Sequence, residues 1–325
     1  MSFSQEVKEE LSRQIASARH CNIAEIAAII SLCGRIVISE RNMYSVKIHS
    51  ESIALARKYF TLLKKTFNIV AEITIKQNVY LKKSRTYTIT VNRHEDAMRI
   101  LKASKLLNEY GEIEENMSVD NVVIMNSCCK RAFIRGAFLA AGSISTPEKN
   151  YHFEIVCNAY EKAVQLCEII NIFQIEAKIV ERKRHFVVYI KEGSSIVDIL
   201  NVMEAHIALM NLENVRILKE MRNTVNRKVN CETANINKTV TAAVKQIEDI
   251  KYIRDLAGFS NLSPQLQEMA ALRLENPEAS LKELGEMLEK PVGKSGVNHR
   301  LRKLGEIAED LRCNVQEKPG GQHGN

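Results

Sequence analysis

The chain has 325 residues, 45% hydrophobic and 26% charged, with a formal net charge of +7. That length holds two or three domains with separate cores, and the balance is that of an ordinary globular protein. The positive excess favours polyanionic partners, and the absence of any run of ~18 apolar residues argues against a membrane-spanning helix.

Taken in chain order, residues 2–18 read as a helix. Ser2 and Gln5 have capping-box spacing, and Phe3, Val7, Leu11 and Ile15 recur on one face. A second helix is expected over 22–33, rich in the small residues Ala24, Ala27, Ala28 and Ser31, and stopped by Gly34. Strands follow at 35–39 and 44–49, a helix at 52–67, strands at 71–76 and 87–93, and a helix at 95–110. The same order then recurs: a helix at 130–141 stopped by Gly142, a short strand at Ile144, a strand at 152–157 and a helix at 160–173. Strands at 177–181 and 185–190 and a closing helix at 194–209 complete it. The two glycines lie 108 positions apart (142 − 34), and each half reads α-β-β-α-β-β-α. Residues 211–228 form a polar, basic helical connector. Helices are then expected at 237–257, 265–275 and 280–288, and from 294 to about 311, with a break near Gly305. The tail, 314–325, lacks an apolar pattern and is expected to be disordered.

The eight cysteines, Cys21, Cys33, Cys128, Cys129, Cys157, Cys167, Cys231 and Cys313, show no C-x-x-C spacing. The charged start of the chain is not a secretory signal, so free thiols in the cytoplasm are the simplest expectation. His20-Cys21 and Cys128-Cys129 are suggestive of metal ligation, but each lacks a second ligand pair nearby in sequence. No metal and no cofactor is therefore expected.

The densest functional signal lies at 280–304. Ser280 and Glu283 form a second capping box, Pro291 and Gly293 end the helix, and another begins at Lys294 or Ser295. Val297, Leu301 and Leu304 would be its buried face. Lys294, Ser295, Asn298, His299, Arg300, Arg302 and Lys303 are the candidate DNA-binding residues. Residues 290–303 carry five basic side chains and no acid. Donors near the start of such a helix can reach base edges in the major groove. A helical hairpin with a solvated basic face would share the pattern.

The two helix-glycine runs, IAAIISLCG (26–34) and IRGAFLAAG (134–142), resemble the LAGLIDADG motifs of homing endonucleases. In that family the acid before the terminal glycine binds the catalytic divalent metal. The resemblance places Cys33 and Ala141 there, beside Gly34 and Gly142, and neither is a carboxylate. It implies a scaffold without catalysis. Lys83 with Arg85, and Arg182 with Arg184, are candidates for auxiliary DNA contacts from the sheets. The opening MSFSQEVKEELSR, the run RAFIRGAFLAAGSIS, NCETAN (230–235) and GVNHRLRKL (296–304) together resemble the WhiA family over about residues 1–312.

The expected fold class is α+β: a duplicated LAGLIDADG-like N-terminal domain joined to an all-α helix-turn-helix domain. Its parts would be 1–125, 126–210, a basic helical linker 211–235, the DNA-binding domain 236–312 and the tail 313–325. The resemblance implies a non-enzymatic, sequence-specific transcription regulator acting in cell division, chromosome segregation and sporulation, bound to double-stranded DNA at the nucleoid. Another transcription factor or RNA polymerase would be a further partner. No membrane role is expected, and internal pseudo-symmetry favours a monomer. An active endonuclease with relocated metal ligands is the alternative, and a protein-binding scaffold a third.

Overall fold

The computed structural model describes residues 2–77, 85–108, 112–113 and 118–316. They divide into two compact units, Met1–Glu220 and Met221–Asn325. Among the described residues no helix is long and apolar enough to cross a membrane.

The first unit is built on the duplication. Helix α1 (Phe3–Arg13) begins with the expected Ser2/Gln5 capping box. Then α2 (Arg19–Cys33), β1 (Gly34–Ile38), β2 (Tyr44–Ser50), α3 (Ile53–Phe67), β3 (Glu72–Gln77), β4 (Arg85–Val91) and α4 (His94–Ala103) form the first half. The second half runs α5 (Ser127–Ala141), β5 (Gly142–Ile144), β6 (Phe153–Cys157), α6 (Tyr160–Asn171), β7 (Lys178–Arg182), β8 (His185–Ile190) and α7 (Gly193–Val202). Each half has one antiparallel four-stranded sheet, in the orders β1-β2-β4-β3 and β5-β6-β8-β7. Equal sheet topology in both halves is stronger evidence of duplication than the order of elements alone.

Helices α2 and α5 pack against each other at the centre of the unit. Small side chains let their backbones close. A Cβ on Gly136 would stand 2.6 Å from the Glu25 carbonyl oxygen and 3.1 Å from Ala28 Cβ. Ala28 and Gly136 are themselves 108 positions apart (136 − 28), so equivalent positions of the two halves meet in this close packing. At the far ends of both helices the chain passes straight into a strand. Gly34 and Gly142 are extended there, and a Cβ on either would strike the preceding helical turn at 2.5 and 2.3 Å.

Several helix ends differ from the expected ones. Helix α1 stops at Arg13 rather than 18, because the Lys58 ammonium takes the carbonyls of Leu11 and Gln14. Helix α4 stops at Ala103 rather than 110: Lys105 turns left-handed and the Leu106 N–H bonds the Leu101 carbonyl at 3.1 Å. The closing helix expected over 194–209 breaks after Val202 in the same way, with Glu204 left-handed and the Ala205 N–H on the Leu200 carbonyl at 2.9 Å.

Helix α8 (His206–Ala257) spans 52 residues. The connector expected at 211–228 and the helix expected at 237–257 are thus one element. The intervening NCETAN run contains neither Gly nor Pro to break it. The second unit continues with α9 (Pro264–Glu275), α10 (Leu281–Glu286) and α11 (Lys294–Gln316). Helix α11 runs through Gly305 without a break, as a single glycine costs a helix only about 1 kcal/mol. The core of this unit joins Ile250 and Ile253 of α8 to Leu266 and Met269 of α9, Leu284 of α10, and Val297, Leu301, Leu304 and Ala308 of α11.

Candidate nucleic-acid interface

The helix-turn-helix is α10, the turn over 287–293, and α11. Ser280 caps α10 through its side chain, and Glu283 reaches back to the Ser280 N–H at 2.7 Å. Gly285 sets the turn. A Cβ there would lie 2.2 Å from the Val292 carbonyl oxygen and 3.1 Å from Val297 Cγ2. Its flat surface therefore admits the turn itself as well as the next helix. The Val292 N–H returns to the Gly285 carbonyl at 3.1 Å, and the Gly293 carbonyl accepts from Gly296 and Val297 to start α11.

Val297, Leu301 and Leu304, expected on the buried face, are at most 3% exposed. That rotation leaves Lys294, Ser295, Asn298, His299, Arg302 and Lys303 exposed, whereas Arg300 is half-buried beside the apolar stripe. Six of the seven candidates thus share the solvent side of one helix. Arg302 lies 3.3 Å from Glu306, an exposed pair of the kind worth under about 1 kcal/mol, so it can be exchanged for an external anion. The remaining acids of α11, Glu309 and Asp310, sit in its C-terminal half, and its basic groups sit in the N-terminal half, except Arg312, which pairs with Asp249 at 2.7 Å.

Beside the start of α11 lies a groove of about 390 Å³, lined in part by Lys238, Arg273, Lys282, Lys294 and Asn298. Lys238 and Lys282 were not singled out from the sequence. They lie on α8 and α10, and only the tertiary packing of three helices gathers their charges. Arg273 is buried and donates to the Ala279 carbonyl at 2.6 Å; burial lowers its pKa.

The sheet candidates are Lys83, Arg85, Arg182 and Arg184. Lys83 lies outside the described residues. Buried Tyr87, Ile89 and Val91 fix the core face of β4, and Arg85 has their parity, so it emerges at the strand start on that side. The open face of the first sheet instead carries Arg35 opposite Lys47, then His49, Thr88 and Thr74 in one row, and Lys76 opposite Thr86. Arg182 lies on the open face of the second sheet, 3.5 Å from Glu154, which also bonds His152 at 3.0 Å. Arg184 stands in the β7–β8 turn, where Lys183 and Arg184 both have positive φ. Arg182 and Arg184 are both exposed, one on the sheet and one in the turn.

At the glycine ends of the central helices, Cys33 and Ala141 are half-buried against the core. The Cys33 thiol donates to the Ile29 carbonyl at 3.2 Å, and burial pushes it up to about 12, opposed by the Lys8 ammonium. Lys8, on α1, is itself lowered by burial and stands 5.7 Å over the Phe138 ring. A thiol, a methyl group and an ammonium offer no hard-oxygen ligands for magnesium.

A duplicated LAGLIDADG-like unit followed by a helix-turn-helix domain defines the class. Residues 19–107 match the family described as the WhiA N-terminal LAGLIDADG-like domain, 130–222 the WhiA LAGLIDADG-like domain, and 225–308 the WhiA C-terminal HTH domain. The chain belongs to the WhiA family. It is 58% identical, over 96% of its length and 100% of the relative's, to the probable cell division protein WhiA of Lachnoclostridium phytofermentans. It is 48% identical to the protein so named in Alkaliphilus oremlandii, covering 96% of this chain and 98% of that one. Among solved structures it is similar to full-length DUF199/WhiA from Thermatoga maritima, with 27% identity, TM-score 0.59, and 95% and 99% of the two chains covered.

Proposed function

We propose that the protein is a sequence-specific, non-enzymatic transcription regulator that binds double-stranded DNA through α11. The observation that carries this reading is the exposed row Lys294, Ser295, Asn298, His299, Arg302 and Lys303, held at the head of a helix whose opposite face is fully buried. Side chains near the N-terminus of such a helix read base edges, and its basic groups pair with phosphates. Arg300, beside the buried stripe, is directed to the DNA backbone rather than to bases. Lys238 and Lys282 extend the phosphate track. Auxiliary phosphate binding falls to Arg35, Lys47 and Lys76 on the open first sheet. Arg182 is partly neutralised by Glu154 and contributes less.

The names of the relatives support a role in cell division. Roles in chromosome segregation and sporulation, a partner transcription factor or RNA polymerase, and residence at the nucleoid follow from the family resemblance. Cleavage is excluded in this reading because the positions that the LAGLIDADG resemblance assigns to the metal ligands hold Cys33 and Ala141, with Lys8 beside Cys33.

Two assays test it. Binding of the full chain to genomic fragments is measured across salt concentrations against the Lys294→Ala/Arg302→Ala variant. A shallower salt dependence, by about 0.9 in log–log slope for each phosphate no longer neutralised, together with reduced preference over competitor, is expected. Unchanged binding would move the reading surface elsewhere. Supercoiled plasmid incubated with the pure chain and magnesium should stay intact, and reproducible nicking would establish the endonuclease alternative.

A further inference from the structure

The sequence places His20-Cys21 and Cys128-Cys129 more than 100 positions apart, and the fold brings them together. One ligand atom from each, a His nitrogen and three Cys sulfurs, lies within 4.8 Å of every other. His20 Nδ1 is 3.1 Å from Cys129 Sγ and 3.4 Å from Cys21 Sγ. The four residues occupy the first turns of α2 and α5, at the end opposite Gly34 and Gly142. A helix of 15 residues puts about 20 Å between the two ends. The cluster obeys the duplication, since adding 108 to 20 and 21 gives 128 and 129. It straddles the pseudo-two-fold relation, with each half supplying adjacent ligands.

We propose that His20, Cys21, Cys128 and Cys129 form a structural zinc site that clamps the two halves of the first unit at the head of its central helix pair.

The donor set is Cys₃His, a standard closed tetrahedral zinc set. With Zn–S near 2.3 Å and Zn–N near 2.0–2.1 Å, tetrahedral ligand atoms stand about 3.5–3.8 Å apart. The observed spread reaches that by small side-chain rotations. Cys21 and Cys129 are buried, while His20 and Cys128 face solvent, so the ion has a dry side and a path of entry. Three thiolates, a neutral imidazole and Zn²⁺ leave one net negative charge, which the N-termini of two helices favour. Neither helix has a side-chain cap at this end, and α2 begins from Ala18, a poor capping residue. The backbone of Asn126 hydrogen-bonds Cys129. Binding displaces one proton from each of the three thiols and leaves His20 to coordinate through one ring nitrogen.

The test uses the full chain, prepared anaerobically and reconstituted with zinc. Metal analysis is expected to give one zinc per chain. Replacing zinc by cobalt is expected to give a thiolate-to-cobalt charge-transfer band and the strong visible bands of tetrahedral cobalt. His20→Ala and Cys128→Ser alter exposed side chains and should weaken zinc retention against a chelator at least tenfold. Cys231→Ser, an exposed cysteine elsewhere, should change nothing. No zinc in the reconstituted wild-type chain would overturn the proposal. So would equal retention in all variants, or a Cys21–Cys128 or Cys21–Cys129 disulfide in place of metal. Should the variants fold poorly, the cobalt spectrum of the wild-type chain still decides by reporting the number of thiolates.

Discussion

At the residue scale the first unit is tied by a buried charge network that no motif announced. Glu25 lies in the α2 face that meets α5, fully buried, with Lys58 Nζ at 3.0 Å and Arg135 Nε at 3.2 Å from the same carboxylate oxygen. Arg135 continues to Glu204 at 2.8 Å, and the Lys58 ammonium also ends α1. One carboxylate therefore joins α2, α3 and α5, and its second-rank partner Glu204 sits in the left-handed cap after α7. In the sequence Glu25 interrupts an otherwise apolar run, and helical periodicity cannot show that a lysine and an arginine from two other elements complete it. Glu25→Gln leaves two buried cations short of a counter-charge, and about 3–5 kcal/mol of stability should be lost, read from urea unfolding. Adding Lys58→Met should recover part of that loss. If Glu25→Gln unfolds like the wild type, the network contributes nothing.

At the element scale, legibility depended on whether the deciding signal was local. Capping boxes at Ser2 and Ser280, the glycine ends of α2 and α5, and the buried stripe of α11 are all written within a few residues, and all appear in the structure. Helix ends set from a distance were misplaced: α1 is ended by Lys58, from a different helix. The face of Arg85 was equally hidden, because strand parity becomes meaningful only once Tyr87 and Ile89 are known to face the core. The His20, Cys21, Cys128 and Cys129 cluster needs the duplication to be applied residue by residue. Gly285 gives the sharpest test at this scale. Gly285→Ala pushes a methyl group into the Val292 carbonyl, so the turn must open and α11 must tilt. Overpacking of this kind typically costs about 1–3 kcal/mol. DNA affinity should fall while the first unit, whose core lies elsewhere, unfolds at an unchanged denaturant concentration. Full affinity in Gly285→Ala would mean that the turn geometry is dispensable.

At the scale of the whole molecule, the duplication bears on how many copies act together. Homologous halves that would otherwise need two chains are supplied by one, and the α2–α5 interface is satisfied internally. A feature that pulls the other way lies on α8. Met221, Val225, Val229, Ile236 and Val240 are each more than half exposed and recur at helical spacing. Two such stripes could pair, but Arg222, Arg227, Lys228 and Lys238 share the segment with the single acid Glu232, so two copies would bring like charges together. That repulsion weakens as salt shortens the Debye length from about 10 Å at 0.1 M to about 3 Å at 1 M. Sedimentation at physiological salt should therefore show one species of 36.8 kDa, with any association appearing only as salt is raised. A dimer already present at low salt, and lost in Val229→Lys, would show that the stripe outweighs the charge and that DNA is met by two chains rather than one.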